Sequence, residues 1–277
     1  MFENYFFVPA NKQQYILKSE TLPGINNRIF DFEDSILKED IDLSIDLLSM
    51  TVVRSNDWIR LPSEIPALTK VLKGTHSLGF NNYIIPKFKG IKELTLIIQQ
   101  ILIYNKHPKL ILLIENSLAL IELKDIINKF DALIYGFGLG SHDFSLDTGI
   151  ENDLPYLQTI RINLLILAKA YNKEPIDIVS MNISNEKEFR NEIDDGFNCG
   201  YRSKFLIHPL QLKMLNNHSY YSFEEVMKYK EILDYFKMNI KDKNALFFYE
   251  GKVYEKMHIK KIEQIVNWGI IHYETIR

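Results

Sequence analysis

The chain has 277 residues, 46% of them hydrophobic and 25% charged, which is ordinary for a globular protein and excludes a disordered or collagen-like one. Lys and Arg number 33 against 36 Asp and Glu, a formal net charge of −3, so there is no basic footprint for nucleic acid and no polybasic membrane patch. The single cysteine, Cys199, excludes an internal disulfide and a Cys-rich zinc site.

The opening residues, MFENYFFVPANKQQ, carry no basic leader and meet Pro9 before any apolar run long enough for a signal peptide. The longest apolar runs, such as 110–114 and 164–168, fall far short of the ~20 residues a bilayer requires. A cytoplasmic protein with no membrane and no nucleic-acid partner is expected. In chain order, short apolar, β-branched or aromatic runs predict strands over 5–8, 27–32, 51–54, 82–86, 109–115, 132–137, 175–180 and 204–208. Longer helical patterns separate them. Residues 91–104 place apolar side chains at 3–4 spacing with no Gly or Pro inside. Residues 118–128 follow Ser117, a plausible N-cap, and 154–171 carry Pro155 in the first turn, where a missing N–H costs little.

Near-continuous apolar strands imply burial on both faces, as in a parallel sheet covered by helices. Eight βα units predict an α/β fold, a (β/α)₈ TIM barrel over 1–215, rather than an open sheet. No G-x-G-x-x-G follows the first strand, which weakens a dinucleotide-binding alternative. Residues 216–277 read as a C-terminal helical extension, with helices over 223–238 and 258–273 and a strand run over 245–249. Such an amphipathic tail packs on its own barrel or on a neighbouring subunit.

In α/β barrels the chemistry sits at the C-terminal ends of the strands. The predicted strands end in Asn11 and Lys12, in Asp31, Glu33 and Asp34, in Arg54, in Lys87, in Glu115, in a GFGLGSHDF turn with His142 and Asp143, and in His208. Carboxylates brought together repel unless protonated or neutralised. With few His and one Cys, the natural neutraliser is a hard divalent ion bound by oxygen. Arg54 would clamp a substrate carboxylate or thioester-side oxygen with its planar fork. Each residue also has a plainer reading. Asp34 and Ser35 would cap the second helix, Lys87 would salt-bridge the acidic cluster, and His208 would be a structural histidine. Cys199 has no visible activating partner.

Taken in order, FFVPANK, DFEDS, VVRSN, IPK, LIENSLAL, HDFSLDTG, GYRSKFLIHPLQ and GKVYEKMH resemble the citrate lyase β-subunit-like branch of the HpcH/HpaI aldolase family, over nearly the whole chain. The resemblance implies a (β/α)₈ barrel whose C-terminal helices are exchanged between subunits of a homotrimer or hexamer. It implies Mg²⁺, with Mn²⁺ as a substitute, held by Glu115 and Asp143. It implies that Arg54 contacts substrate, that Glu33 and Asp34 orient metal-bound waters and restrain Arg54, and that Asn11, Lys12 and Lys87 bind the substrate, the first two at its acyl or CoA portion. The acid/base is implied to be Glu255, delivered by a neighbouring subunit and one methylene longer than the aspartate usual there.

The reaction implied is reversible carbon–carbon cleavage of a β-hydroxyacyl-CoA, such as malyl-, citramalyl- or citryl-CoA, into an oxo-acid and an acyl thioester through a metal-stabilised enolate. The alternatives are a class II aldolase acting on a free 4-hydroxy-2-oxo acid, a malyl-thioester hydrolase, and a non-catalytic binding homologue from a biosynthetic operon.

Overall fold

A computed structural model describes residues 2–239 and 246–273. The chain divides into two compact units, Phe2–Asn217 and His218–Arg277.

The first unit is a closed barrel of eight strands, each paired in parallel with its sequence neighbour, and β1 with β8. The elements alternate as β1 (Glu3–Pro9), α1 (Gln13–Thr21), β2 (Asn27–Asp31), α2 (Ile41–Ser49), β3 (Asp57–Arg60), α3 (Ile65–Thr75), β4 (Asn82–Ile85), α4 (Gly90–Tyr104), β5 (Lys109–Ile114), α5 (Ser117–Ile121), α6 (Leu123–Phe130), β6 (Ile134–Leu139), α7 (Ser141–Thr148), α8 (Leu154–Ala170), β7 (Glu174–Asp177), α9 (Glu186–Cys199), β8 (Ser203–Leu206) and α10 (Pro209–Asn216). This is the (β/α)₈ barrel that the strand spacing predicts.

The interior is filled by side chains rather than open. Tyr5, Ile29, Trp58, Ile84, Ile111, Leu113, Ile176 and Phe205 form one buried cluster, with Phe7, Tyr135 and Val179 packed against it. Side chains alternate faces along a strand. Because Ile29, Trp58 and Leu113 point inward, so do Asp31, Arg60 and Glu115, two residues further along and at the C-terminal ends of the strands. The hydrophobic pattern therefore aims three charged side chains into the barrel mouth.

The predicted third strand is displaced. Residues 51–54 are not a strand; β3 is Asp57–Arg60, all four residues buried. The Val-Val pair mimics a strand, yet Val52 is 77% exposed and its carbonyl accepts a hydrogen bond from Arg28. The Asp57 carboxylate turns the chain by accepting the Arg54 backbone N–H. The predicted helix over 118–128 is two helices joined at Glu122, and its N-cap is Asn116, whose side chain accepts from the Ala119 N–H. Ser117 instead donates its backbone N–H to Asp147. Pro155 stands in the first turn of α8, as predicted, and Asp153 is the N-cap.

The second unit holds α11 (Phe223–Asn239), β9 (Leu246–Tyr249), β10 (Lys252–Glu255) and α12 (Lys256–His272). The strands form an antiparallel hairpin. Of the predicted run 245–249, Ala245 lies outside the described residues; β10 is an addition to the prediction. Ile232, Leu233, Phe247, Ile259, Ile262 and Val266 make this unit's core. Among the described residues no helix is long and apolar enough to cross a membrane.

Candidate active site at the barrel mouth

Asp31 and Arg60 are register partners across β2 and β3. Arg60 donates from Nε and Nη2 to the two oxygens of Asp31, both at 2.6 Å. Its Nη1 donates to Asp34 at 3.0 Å and lies 3.7 Å from Glu33 Oε2. The guanidinium rests 4.9 Å above the Phe7 ring. Burial opposes its charge, but the surrounding acids more than offset that and push its pKa upward.

Lys87 follows β4 with φ of 51°, a left-handed conformation uncommon for a residue with a Cβ. That backbone aims its N–H at Glu115 Oε2. Its Nζ reaches Glu33 at 2.7 Å and Asp34 at 2.6 Å, and stands 3.9 Å from Asp143 Oδ2. Lys87 therefore links the acids that follow β2 to those that follow β5 and β6.

Glu115 is 5% exposed. Burial pushes its pKa up to about 8; the Lys87 N–H opposes this, and the Asp143 charge adds to it. Gly140 makes room for it, since a Cβ there would sit 2.3 Å from Glu115 Cγ. Asp143 lies in the first turn of α7. Burial and a hydrogen bond with Asp34 raise Glu33 to about 7. Burial also opposes ionisation of Asp34, but the hydrogen bonds with Glu33 and Lys87 and the Arg60 charge outweigh it and take Asp34 down to about 2. One proton is thus held on Glu33 in preference to Asp34.

Two cavities meet at Glu115 and Asp143. The larger, about 370 Å³, has a floor of Phe7, Leu113, Val179 and Phe205, and a polar wall that includes Asp31, Arg60, His142 and the first turn of α7. The smaller, about 280 Å³, is lined by Lys87, Lys89, Asn116 and Ser117 among others. Both take Glu115 and Asp143 into their walls.

The donor chemistry fits a hard divalent cation. A desolvated carboxylate beside a second one is relieved by positive charge, and both donors are oxygens. Among the described residues no group of three or more His, Cys, Asp or Glu is arranged to hold a metal ion. Two carboxylates with remaining positions for water and substrate suit Mg²⁺, which keeps part of its hydration shell, better than zinc held by three or four protein ligands. Glu33 Oε2 is buried without a hydrogen-bond donor among the described residues, an acceptor suited to a water of such an ion.

The expected site residues divide into groups. Glu33, Asp34, Lys87, Glu115 and Asp143 come together. Arg54 does not join them. It precedes β3, at the opposite end of the strand from the mouth, and its guanidinium donates to the Glu20 carbonyl at 2.9 Å. The position assigned to Arg54 is occupied by Arg60, and Glu33 and Asp34 restrain Arg60 instead. Asn11, after β1, donates to Asp40 at 2.7 Å, and Lys12 is exposed at the start of α1. Glu255 belongs to the second unit, where it is exposed, ends β10 and shares a reciprocal capping box with His258 at the start of α12.

His208 caps α10 through Nδ1, the structural one of its two readings. The GYRSKFLIHPLQ segment works as a brace. Lys204 is buried and donates to the Ile178 carbonyl, and Gln211 donates to Ser180 and Asn182 carbonyls while accepting the Ile207 N–H. These bonds fix the loop that carries Val179. Sequence reasoning missed Arg60 and the role of Gly140, and placed Asp31 at a strand end without giving it a role. The signal for Arg60 was the alternation in Asp57-Trp58-Ile59-Arg60, a strand whose inward residues are Trp58 and Arg60.

Over 274 residues the chain is 22% identical to the (3S)-malyl-CoA thioesterase of Cereibacter sphaeroides, covering 95% of this chain and 93% of that protein. It is 21% identical to the mitochondrial citramalyl-CoA lyase of Mus musculus, covering 94% and 83% respectively. Among solved structures, CitE from Mycobacterium tuberculosis, in complex with magnesium, acetoacetate and coenzyme A, matches with a TM-score of 0.79 at 16% identity, covering 96% of this chain and 97% of that one. A citrate lyase from Burkholderia xenovorans LB400 matches with a TM-score of 0.78 at 15% identity, covering 98% and 92%. At these identities the structural likeness speaks to the barrel fold. The family of HpcH/HpaI aldolases and citrate lyases matches residues 4–209, the length of the barrel, and the chain belongs to it.

Proposed function

We propose that the protein is a Mg²⁺-dependent carbon–carbon lyase, or the reverse condensing enzyme, that interconverts a β-hydroxyacyl-CoA with a 2-oxo acid and an acyl thioester. The observation that carries this reading is the convergence of Glu115 and Asp143 on one cavity mouth, beside an arginine held by Asp31 and Asp34. The family membership, and relatives named for malyl-CoA and citramalyl-CoA, support the substrate class.

Glu115 and Asp143 would hold the ion, which when bound supplies Lewis acidity to a carbonyl oxygen. Glu33 and Asp34 would order water around it. Arg60 is held still before substrate arrives, so orienting it costs little during the reaction. The N-terminal turn of α7 would face a substrate carboxylate with its free N–H groups and the positive end of the helix dipole. Asn11 and Lys12 would take the acyl or CoA portion. Glu255, brought by a neighbouring subunit of a homotrimer or hexamer, would move the proton at the thioester's α-carbon; its carboxylate, which accepts one N–H in the capping box, has a second oxygen for that work.

Calorimetric titration of Mg²⁺ into the wild type and into Glu115→Ala and Asp143→Ala tests the ion site, with acetyl-CoA plus a 2-oxo acid as the activity assay. Loss of Mg²⁺ binding and of carbon–carbon bond formation together is the expected result. Unchanged Mg²⁺ binding in both variants would sink the proposal. The malyl-CoA thioesterase relative favours a second reading, hydrolysis of the thioester at the same mouth. Free thiol released from a malyl thioester without release of an acyl-CoA product would select it.

A further inference from the structure

Past the ends of β2, β3 and β6 the backbone stays tied to the sheet. The next N–H groups, on Phe32, Leu61 and Gly140, donate to the carbonyls of Arg60, Ile84 and Ile114 on adjoining strands. The chain after β7 differs. Among the described residues no backbone–backbone hydrogen bond involves 178–184, although this segment supplies Val179 and Met181 to the wall of the larger cavity. Its carbonyls are held by side chains instead. Lys204 of β8 donates to Ile178 at 2.8 Å, and Gln211 of α10 donates to Ser180 at 2.9 Å and to Asn182 at 3.2 Å.

Gln211 is fully buried, and its amide is used at both ends. The Nε2 group has two hydrogens and two carbonyls to receive them, while Oε1 accepts the Ile207 N–H at 3.0 Å. Two acceptors on one side and a donor on the other admit a single orientation of the amide. Ile207 also lines the larger cavity, and Gln211 does not. One amide behind the cavity therefore ties together two of its walls, the loop after β7 and the turn after β8. The loop's other anchors lie toward its ends. Lys204 holds Ile178, and Glu192 of α9 accepts from the Asn182 side chain at 2.7 Å. The Asn182 N–H bond to Ser180 Oγ is internal to the loop. The stretch that carries Val179 and Met181 is thus joined to the barrel chiefly through Gln211.

Resting on the reading above, in which the larger cavity receives the substrate, we infer that Gln211 is a positioning residue for that substrate. It sets where Val179, Met181 and Ile207 stand, and so how tightly the cavity holds its ligand, without itself lining the cavity. Glu115 and Asp143 follow other strands, β5 and β6, so ion binding does not depend on it. A wall displaced before and throughout the reaction weakens ground state and transition state alike, which raises KM and leaves kcat in place.

The test compares Gln211→Glu and Gln211→Met with the wild type in the full-length protein. Glutamate keeps the length and an oxygen for the Ile207 N–H, but when ionised it has no donor for Ser180 and Asn182. Methionine keeps the bulk and loses all three bonds. In both variants KM is expected to rise by about tenfold, the worth of one to two hydrogen bonds, with the larger rise in Gln211→Met. Turnover should stay within about threefold, and Mg²⁺ affinity by calorimetry within about twofold. Thermolysin cutting within 178–184, read by mass spectrometry, is expected to be about tenfold faster. Unchanged KM in a folded variant, or equal losses of substrate and Mg²⁺ affinity, overturns the inference. So does a wild type whose 178–184 segment is cut as fast as in urea-unfolded protein, a result that needs no variant. KM is taken for carbon–carbon bond formation, or for thiol release if only that occurs, in which case the lyase reading fails and the role of Gln211 is still decided. A wild type inactive in both assays overturns the lyase reading and the substrate role together, while the cutting rates still show whether Gln211 holds the wall.

Discussion

The same two strands carry an Arg–Asp pair at each end, and the two pairs do different work. At the N-terminal end, Arg28 of β2 faces its register partner Asp57 of β3, bonded at 2.8 Å through Nε, with both side chains 1% exposed. At the C-terminal end, Asp31 of β2 faces Arg60 of β3. Ile29 and Trp58 point inward, so alternation turns the first pair out toward the helices and the second into the mouth. The outer pair is sealed, with Glu20 3.9 Å away as its other acid. The inner pair faces a cavity and carries two further acids, Glu33 and Asp34. The sealed pair is closed off by the packing around it; the other, with acids in excess, is open to the cavity at the mouth.

Breaking the sealed pair has the largest expected effect. Asp57→Ala removes the bonded acid from a buried guanidinium, for which a loss on the order of 3–5 kcal/mol is expected, read from urea unfolding. Activity per folded molecule should be nearly intact. A stability change below 1 kcal/mol would erase the distinction between the ends. Next comes the open pair. Arg60→Lys keeps the charge but loses the planar fork that Asp31 and Asp34 grip. A drop of about 10²-fold in kcat/KM is expected, with a smaller stability loss than for Asp57→Ala because the released acids reach water in the cavity. Equal effects of the two variants on stability, with activity retained in Arg60→Lys, would contradict the comparison.

The barrel was legible because its signal is repeated eight times and is made of apolar runs, each short but bounded by helical patterns. The misplacement of β3 shows where such reading stops. Thr51, Val52 and Val53 have strand-forming side chains, but a strand also requires neighbours to pair with. Trp58 and Ile59 meet Ile29 and Phe30 in register, and a single sequence does not show that pairing. Glu115 and Asp143 were legible because each ends or follows an unambiguous run. Gly140 was not, because its role is the absence of a Cβ against a side chain 25 residues away in the chain. The clustering of Lys87 with Glu33 and Asp34 was foreseen only as a plain salt bridge; that its backbone N–H also serves Glu115 follows from a left-handed turn that no residue type announces.

The acids at the mouth also give a pH signature. Glu115, raised to about 8 by burial, keeps its proton in the folded protein over a range where the unfolded chain, ionising near 4.5, has lost it. The folded state binds more protons, so this group's contribution to stability falls as pH rises from about 4.5 to about 8 and stays low above that. Ion binding requires the carboxylate, so it releases this proton. Apparent Mg²⁺ affinity should therefore rise by about tenfold per pH unit up to about pH 8 and then level off, with Glu115→Gln more stable than wild type at pH 9 in the absence of Mg²⁺. Titrations in two buffers of different ionisation enthalpy would measure the released proton. Flat affinity between pH 6 and 8 would mean that Glu115 is ionised before the metal arrives.

The smallest effect is expected at Arg54, and it is the sharpest check on which arginine serves the mouth. Its guanidinium donates to the Glu20 carbonyl at the end of α1, and its backbone N–H is held by Asp57 whatever its side chain. Arg54→Ala removes one partly buried hydrogen bond, worth about 0.5–1.5 kcal/mol, and leaves the Asp57 turn in place. Turnover and Mg²⁺ affinity should stay within about twofold of wild type, a difference under 0.5 kcal/mol. A loss approaching that of Arg60→Lys, in a variant whose unfolding curve is otherwise ordinary, would return the substrate contact to Arg54 and require the loop before β3 to reach the other end of the barrel. The distance between the two ends of one strand makes that outcome hard to reconcile with the register Asp31 to Arg60, so the two arginines together test both the site and the strand that carries it.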